Sequence, residues 1–238
     1  MAGIELIDVH KYYQVDGREL KVLDGLCLKV PERQITVVLG QSGCGKTTLL
    51  RLVGGLENAD SGEIRWEGGR KAAFVFQEPR LMPWLNVWSN VVFGLRCREI
   101  VQTRIQDIIH TVGLEGFERA YPSQLSGGMQ QRVALARALA CEPSFIMMDE
   151  PFAALDHFTR EQMQRELLRV RETQGSSILF VTHSVDEALV LGDKIVVIEK
   201  GRVKAEYPVP LSAKDRNLLD EEMIALKKEI INDLNFAK

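Results

Sequence analysis

The chain has 238 residues, 45% of them hydrophobic, and a formal net charge of −3. That length suits one large domain or two small ones with a substantial core, and the charge balance offers no global basic field for nucleic acid. Four cysteines, Cys27, Cys44, Cys97 and Cys141, lie far apart with no C-x-x-C pair, which argues against a disulfide framework or zinc site and for a reducing compartment.

Residues 4–9 and 22–30 pattern as antiparallel strands joined by a polar turn at Asp16-Gly17. The N-terminal Met1-Ala2-Gly3-Ile4-Glu5-Leu6 has neither the basic nor the apolar region of a secretory signal. Pro31-Glu32-Arg33 punctuates the chain before Ile35-Thr36-Val37-Val38-Leu39, an apolar run that reads as a buried strand. Gly40-Gln41-Ser42-Gly43-Cys44-Gly45-Lys46-Thr47 follows and fits G-x-x-x-x-G-K-[ST] completely, and Thr48-Leu49-Leu50-Arg51-Leu52 opens a helix. The turn Ala59-Asp60-Ser61-Gly62 leads to a strand at 63–66, and a further strand at 71–76 ends at Gln77. Residues 86–140 are mostly helical in pattern. Strands return at 145–148, 178–181 and 194–198, with helices at 157–173 and 184–191 between them. Met163, Leu167 and Val170 mark the inner face of the first helix, and Ser184-Val185-Asp186-Glu187 reads as a capping box opening the second. Lys200-Gly201 closes a hairpin. The tail from Ser212 places Leu219, Met223, Leu226, Ile230 and Leu234 at helical spacing, a stripe expected to pack on its own domain. Alternation of strands and helices predicts an α/β fold with a mostly parallel sheet, in one domain spanning 1–238. No apolar stretch approaches the ~18 residues of a membrane span, so a cytoplasmic chain is expected, with any membrane role through a partner.

The chemistry concentrates at three places. In the glycine-rich loop, successive N–H groups can face one anion, with Lys46 and the helix dipole adding positive charge at the β- and γ-phosphates and Thr47 offering a hydroxyl to Mg²⁺. Phe145-Ile146-Met147-Met148-Asp149-Glu150 carries two carboxylates to the C-terminal edge of a strand, where ligands of open α/β sheets bind. One can hold Mg²⁺ and the other can orient and deprotonate water. Leu125-Ser126-Gly127-Gly128 sits at the start of an Ala- and Leu-rich helix, a second anion grip without a second phosphate loop.

Leu-Ser-Gly-Gly, together with the flanking motifs in this order, resembles the nucleotide-binding subunit of ATP-binding cassette transporters over residues 4–206. The resemblance implies a P-loop NTPase core with an N-terminal antiparallel β subdomain, an inserted helical subdomain at about 86–140 and a helical tail at about 212–238. It also accounts for the second grip, since in that family two copies meet head to tail. ATP then lies between residues 40–48 of one copy, Thr48 included, and Ser126, Gly127, Gly128 and Asp156 of the other. Gln77 matches the Q-loop glutamine that contacts Mg²⁺ and the attacking water and links to the permease. Ala154-Leu155-Asp156 matches the D-loop, and His183 the switch histidine at the γ-phosphate. Tyr13 aligns with the aromatic that stacks on adenine, worth on the order of 1–3 kcal/mol, with Tyr12 as competitor. The implied roles are catalytic for Glu150, His183 and Gln77, and Mg²⁺-binding for Thr47, Gln77 and Asp149. Met129 and Ala154 depart from the commonest family residues without removing a reacting group. Cys44, at a helix N-terminus, is expected to be a reactive thiolate whose modification blocks hydrolysis.

Residues 76–87 and Asp149-Glu150-Pro151-Phe152-Ala153-Ala154-Leu155-Asp156, with Thr159 to Gln164, are similar to the bacterial importer subfamily for nitrate, aliphatic sulfonates and taurine. Such a resemblance implies an integral membrane permease, an extracytoplasmic solute-binding protein, a position on the cytoplasmic face of the cell membrane, and no nucleic acid. Leu81, Met82, Trp84 and Trp88 are read as part of the groove for a permease helix. The chain ends soon after the tail helix, so no added regulatory domain is expected. The alternatives are an exporter or lipoprotein-extraction ATPase and, more remotely, a cassette ATPase acting on nucleic acid or the ribosome.

Overall fold

Strand β1 (Ala2–Val15) pairs antiparallel with β2 (Arg18–Val30), Val15 facing Arg18 across a two-residue turn. Asp16 and Gly17 both take positive φ, 51° and 74°, the tight turn whose twist matches a hairpin. Strand β4 (Ser61–Gly68) adds to the other side of β1. The computed structural model describes residues 2–68, 71–96, 101–210 and 216–235.

A second sheet has the order β5-β6-β7-β3-β8-β9. Its strands are β5 (Ala72–Val75), β6 (Phe145–Asp149), β7 (Ser177–Val181), β3 (Ile35–Leu39), β8 (Lys194–Glu199) and β9 (Arg202–Pro208). The first five run parallel and β9 returns antiparallel along β8. Every residue of β3, β6 and β7 is buried, which explains why their sequences read as continuous apolar runs rather than alternations.

Alternate residues of these strands feed two cores. Val38, Phe145, Met147, Leu179, Val181 and Val196 face the three-stranded sheet and α1 (Lys46–Val53), packing against Leu6, Leu23, Leu49 and Leu50. Val37, Leu39, Ile146, Met148, Phe180 and Val197 face the other way. There they meet α2 (Val87–Val91), α3 (Gln102–Thr111), α4 (Gly127–Ala140), α5 (His157–Gln174), α6 (Val185–Leu191) and α7 (Glu221–Asn235). A one-residue slip of any central strand would exchange the two linings. The carboxyl ends of β3, β6 and β7 therefore open side by side, and the sheet presents the phosphate loop, Asp149-Glu150 and Thr182-His183 along one edge.

The strands of the second sheet, β4 and helices α1, α5 and α6 form within one or two residues of their sequence boundaries, and that sheet is mostly parallel as expected, whereas β1 runs on to Val15 and β2 already begins at Arg18, well beyond the expected 4–9 and 22–30. Three details differ. Helix α7 begins at Glu221, so Leu219 precedes it and is 80% exposed, outside the stripe. Met223 and Ile230 are fully buried and Leu226 and Leu234 pack on the same core, so the stripe does cover its own domain. The capping box at α6 is half formed: Ser184 Oγ accepts from the Glu187 N–H at 3.3 Å, but the Glu187 carboxylate accepts instead from the Thr182 hydroxyl at 2.5 Å. Cys97, residues 212–215 at the start of the tail and residues 236–238 lie outside the described residues.

Candidate active site

Helix α1 starts at Gly45 in a left-handed conformation, φ 105°, with no side-chain cap. A Cβ there would lie 2.7 Å from Leu23 Cδ2 and 2.9 Å from the Val22 carbonyl, so both the backbone conformation and the space demand glycine. The uncapped first-turn N–H groups are left for an anion. Lys46 is buried and its ammonium donates to the carbonyls of Gly40 at 2.7 Å and Gln41 at 2.9 Å. Thr47, the next residue, hydrogen-bonds the Asp149 side chain from the end of β6. Burial, reinforced by neighbouring Glu150, pushes the Asp149 carboxyl above the usual carboxylate range.

The loop opens into a cleft of about 570 Å³, a volume typical of ligand sites. Ser42, Gly43, Gly45, Lys46, Thr47 and Thr48 line it from one side, and Gln77, Glu150 and His183 from the other. Glu150 has a φ of 44°, which is uncommon for a residue with a side chain and is tolerated where surrounding structure fixes it. Its N–H donates to the Val181 carbonyl at 2.9 Å, tying the end of β6 to β7. Its Oε2 lies 3.1 Å from His183 Nδ1, while the imidazole is 69% exposed. A carboxylate and an imidazole thus converge on the mouth of a phosphate cradle, an arrangement suited to orienting a water toward a terminal phosphate.

Tyr13 stands at the edge of this site, half-buried, with its hydroxyl on the Glu57 carboxylate and hydrogen-bonded to Thr48 of α1. Burial, with Glu57 second, raises its phenol above the ordinary value. Tyr12 is engaged elsewhere, its hydroxyl 3.2 Å from His10 Nδ1 and its ring under Lys21. Cys44 departs from expectation. Its side chain is buried, and burial raises the thiol pKa, outweighing the opposing effect of Lys46. Burial outweighs the loop's helix dipole and favours the neutral thiol over the expected thiolate.

The second grip does not line this cleft. Ser126 caps α4, its Oγ accepting from the Met129 N–H at 3.3 Å. Gly127 faces open space, and Gly128 packs on Leu155 and the Ala154 carbonyl, so the structure joins Ser126-Gly127-Gly128 to Ala154-Leu155-Asp156. Asp156 caps α5, accepting from the Thr159 N–H at 3.0 Å and hydroxyl at 2.7 Å, bonds that lower its carboxyl pKa. Neither Ser126, Gly127, Gly128 nor Asp156 is among the residues around the cleft.

Three supporting residues escaped sequence reading. Gln131, buried in α4, donates to the Phe76 carbonyl at 3.0 Å, and Arg137 donates to the carbonyls of Pro79 and Arg80 at 2.9 Å each. Helix α4 therefore carries Ser126 at its start and grips both flanks of Gln77. Asn90 is fully buried and fastens the following loop by bonds to Met82, Leu85 and Asn86. A Gln-Gln-Arg run at the start of an Ala-rich helix was the available signal for Gln131. Nothing local marked Asn90. The fastened loop divides the expected groove residues: Leu81 and Trp88 pack inward on the core, whereas Trp84 is 69% exposed.

Residues 23–153 match the ABC transporter family. Over 97% of its length the chain is 43% identical to the uncharacterized ABC transporter ATP-binding protein MJ0412 of Methanocaldococcus jannaschii, 91% of which is covered. It is 45% identical over 85% of its length to the aliphatic sulfonates import ATP-binding protein SsuB 2 of Pseudomonas syringae pv. syringae, 72% of which is covered. It is also 41% identical over 84% of its length to the spermidine/putrescine import ATP-binding protein PotA of Clostridioides difficile, 60% of which is covered. Among solved structures, the dimeric post-hydrolysis state of the ATP-binding cassette MJ0796 bound to ADP and Pi superposes with a TM-score of 0.81 at 31% identity. That match spans 88% of this chain and 100% of the other. Phosphate loop, carboxylate pair, second helix grip and these likenesses agree: the chain belongs to the ABC transporter family, as an ATP-hydrolysing, ATP-binding subunit.

Proposed function

We propose that this subunit hydrolyses ATP in a site completed by a second copy and powers a bacterial importer for small anions such as sulfonates, taurine or nitrate. The observation that carries the ATPase assignment of residues is the cleft itself, which gathers Lys46, Thr47, Gln77, Glu150 and His183 around one loop. Within it, Lys46 and the first-turn amides of α1 neutralise the β- and γ-phosphates. Glu150 takes the proton of the attacking water, and His183, held by Glu150, keeps water and γ-phosphate in line. The Thr47 hydroxyl, the buried Asp149 carboxyl and the Gln77 amide are hard oxygen donors of the kind that fit Mg²⁺. An ion held there would supply positive charge against the phosphate oxygens. Tyr13 receives the adenine.

The second copy is inferred from the placement of Ser126, Gly127, Gly128 and Asp156 outside the cleft, combined with likeness to a dimeric cassette. In that arrangement the Ser126-capped N-terminal turn of α4 meets the γ-phosphate held by the partner. Among the described residues no helix is long and apolar enough to cross a membrane. From the likeness to import ATP-binding proteins we infer a peripheral subunit at the cytoplasmic face, docked on an integral permease through the exposed Trp84 loop. Likeness to an aliphatic sulfonate importer subunit supports the anion class, with an extracytoplasmic binding protein upstream.

The test is recovery of the tagged chain from detergent-solubilised membranes of its host, followed by reconstitution of the captured permease and its binding protein. Stimulation of ATP turnover by taurine, alkanesulfonates or nitrate is the expected result. Stimulation by polyamines alone would replace the substrate class, and recovery without a permease would overturn the transport role.

A further inference from the structure

Helix α7 touches the scaffold of the cleft at two separated points. Its Met223 and Ile230 are fully buried, and Lys227 pairs with Asp186 in the first turn of α6, the helix capped by Ser184 immediately after His183. Its last turn is clamped by β9. Lys204 Nζ donates to the Asp233 carbonyl at 2.6 Å, and the Tyr207 hydroxyl donates to the Asp233 carboxylate. A lysine on the terminal carbonyls also sits where the helix dipole favours a cation. At the next residue the phosphate loop itself makes contact: Gln41 Nε2 donates to the Leu234 carbonyl at 3.0 Å. Terminal carbonyls lack intrahelical partners, so this bond meets a need of the helix as well as of the loop. Around it the loop and α7 are separated by a cavity of about 270 Å³, lined by Gln41, Cys44, Ile198 and Asp233 among others. The loop's outer side is thus not packed flush against α7, and the Gln41 amide bridges the gap.

We propose that α7 is a brace and Gln41 a positioning residue: together they hold the outer side of the phosphate loop in register with α6 and hence with His183. The proposal rests on the reading of residues 40–48 as the nucleotide loop. It gives the C-terminal helix a task in the reaction beyond covering the core. Lys204 anchors the brace some distance from the nucleotide and also pairs with Glu199 of the cavity wall at 3.3 Å, so the double variant distinguishes a route through Asp233, Leu234 and Gln41 from one through Glu199.

The experiment compares Lys204→Met, Gln41→Leu, their double variant and Lys204→Arg in the full chain, after melting curves confirm folding. Two readouts are taken: the labelling rate of Cys44 by a thiol reagent, followed by mass spectrometry of its peptide, and KM against kcat for ATP. Lys204→Met and Gln41→Leu are each expected to raise Cys44 labelling and KM by about two- to tenfold, the equilibrium worth of one hydrogen bond. The kcat should change less, Lys204→Arg should behave like the parent chain, and the double variant should be no worse than either single one. Gln41 is exposed, so its substitution keeps the test open even where Lys204→Met does not fold. Unchanged labelling and KM in folded variants, or effects that add in the double variant, would overturn the brace. Loss of ATP turnover in the unmodified chain would instead fail the reading of the site, and the labelling rates would still report on the brace.

Discussion

Helices α1 and α4 both open at a glycine, Gly45 as the cap of the first and Gly127 as the first residue of the second, yet their first turns are prepared differently. Helix α1 has no side-chain cap and a buried lysine at its first position. Helix α4 is capped by Ser126, through a long bond of 3.3 Å, and its first residue, Gly127, faces open space. The first end is finished by its own chain: walls, cation and carboxylates surround it. The second has the polar groups of an anion site but no cleft, and its neighbours are Ala154 and Leu155 of the same chain. In the proposed function, the exposed glycine at this second end faces a surface supplied by another copy. Substitutions at the first end should therefore act within one chain, and those at the second should act between chains.

The largest effect is expected at the first end. Glu150→Gln should lower ATP turnover by roughly 10²–10⁴-fold, the usual worth of a positioned base, while leaving nucleotide binding intact. Single-turnover kinetics with a nucleotide-binding assay would separate the two, and near-normal turnover would remove Glu150 from its role. Asp149→Asn should also abolish most turnover by weakening Mg²⁺ binding, yet raise the melting temperature of the nucleotide-free chain at neutral pH. The sign follows from the raised carboxyl pKa. Folding favours the protonated form, so the group contributes stability below its unfolded pKa and loses it as pH rises through the folded value. The neutral amide escapes that loss. A fall in melting temperature would contradict this.

At the second end the effects split by assay. Ser126→Ala should cost the isolated chain only about 1 kcal/mol, the loss of one N-cap, read by chemical denaturation. Its effect on turnover should be largest in dilute protein and shrink as concentration rises, as expected of a contact between copies. Smallest of all, Cys44 in the parent chain should react with a neutral-pH thiol reagent more slowly than exposed Cys27, because burial raises its pKa and hides it. Faster labelling of Cys44 would restore the reactive-thiolate expectation that the structure overturned.

Both ends were legible in the sequence as motifs, but only the first carried its surroundings with it, for a physical reason. A phosphate loop is contiguous, so the spacing of Gly40, Gly45, Lys46 and Thr47 carries its geometry with it. The buried strands β3, β6 and β7 were equally plain, since burial on both faces writes itself as unbroken apolar runs. Gln131, Arg137 and Asn90 act over long sequence separations on backbone carbonyls, and no local pattern specifies such a target. Cys44 misled because helix position was weighed without burial. Glu187 misled because its carboxylate had a closer hydroxyl, Thr182, than the backbone group a capping box requires. The grip at Ser126 was visible as a motif, but only the resemblance to a family supplied the partner that gives it meaning.

The composite site is tested most directly by the mass of Glu150→Gln in solution, measured by analytical ultracentrifugation with and without ATP, alone and combined with Ser126→Arg. A doubling of mass with ATP, abolished by the arginine at the second helix end, is the expected result. A chain that binds ATP but stays single, or a dimer indifferent to Ser126→Arg, would contradict a site shared between two copies.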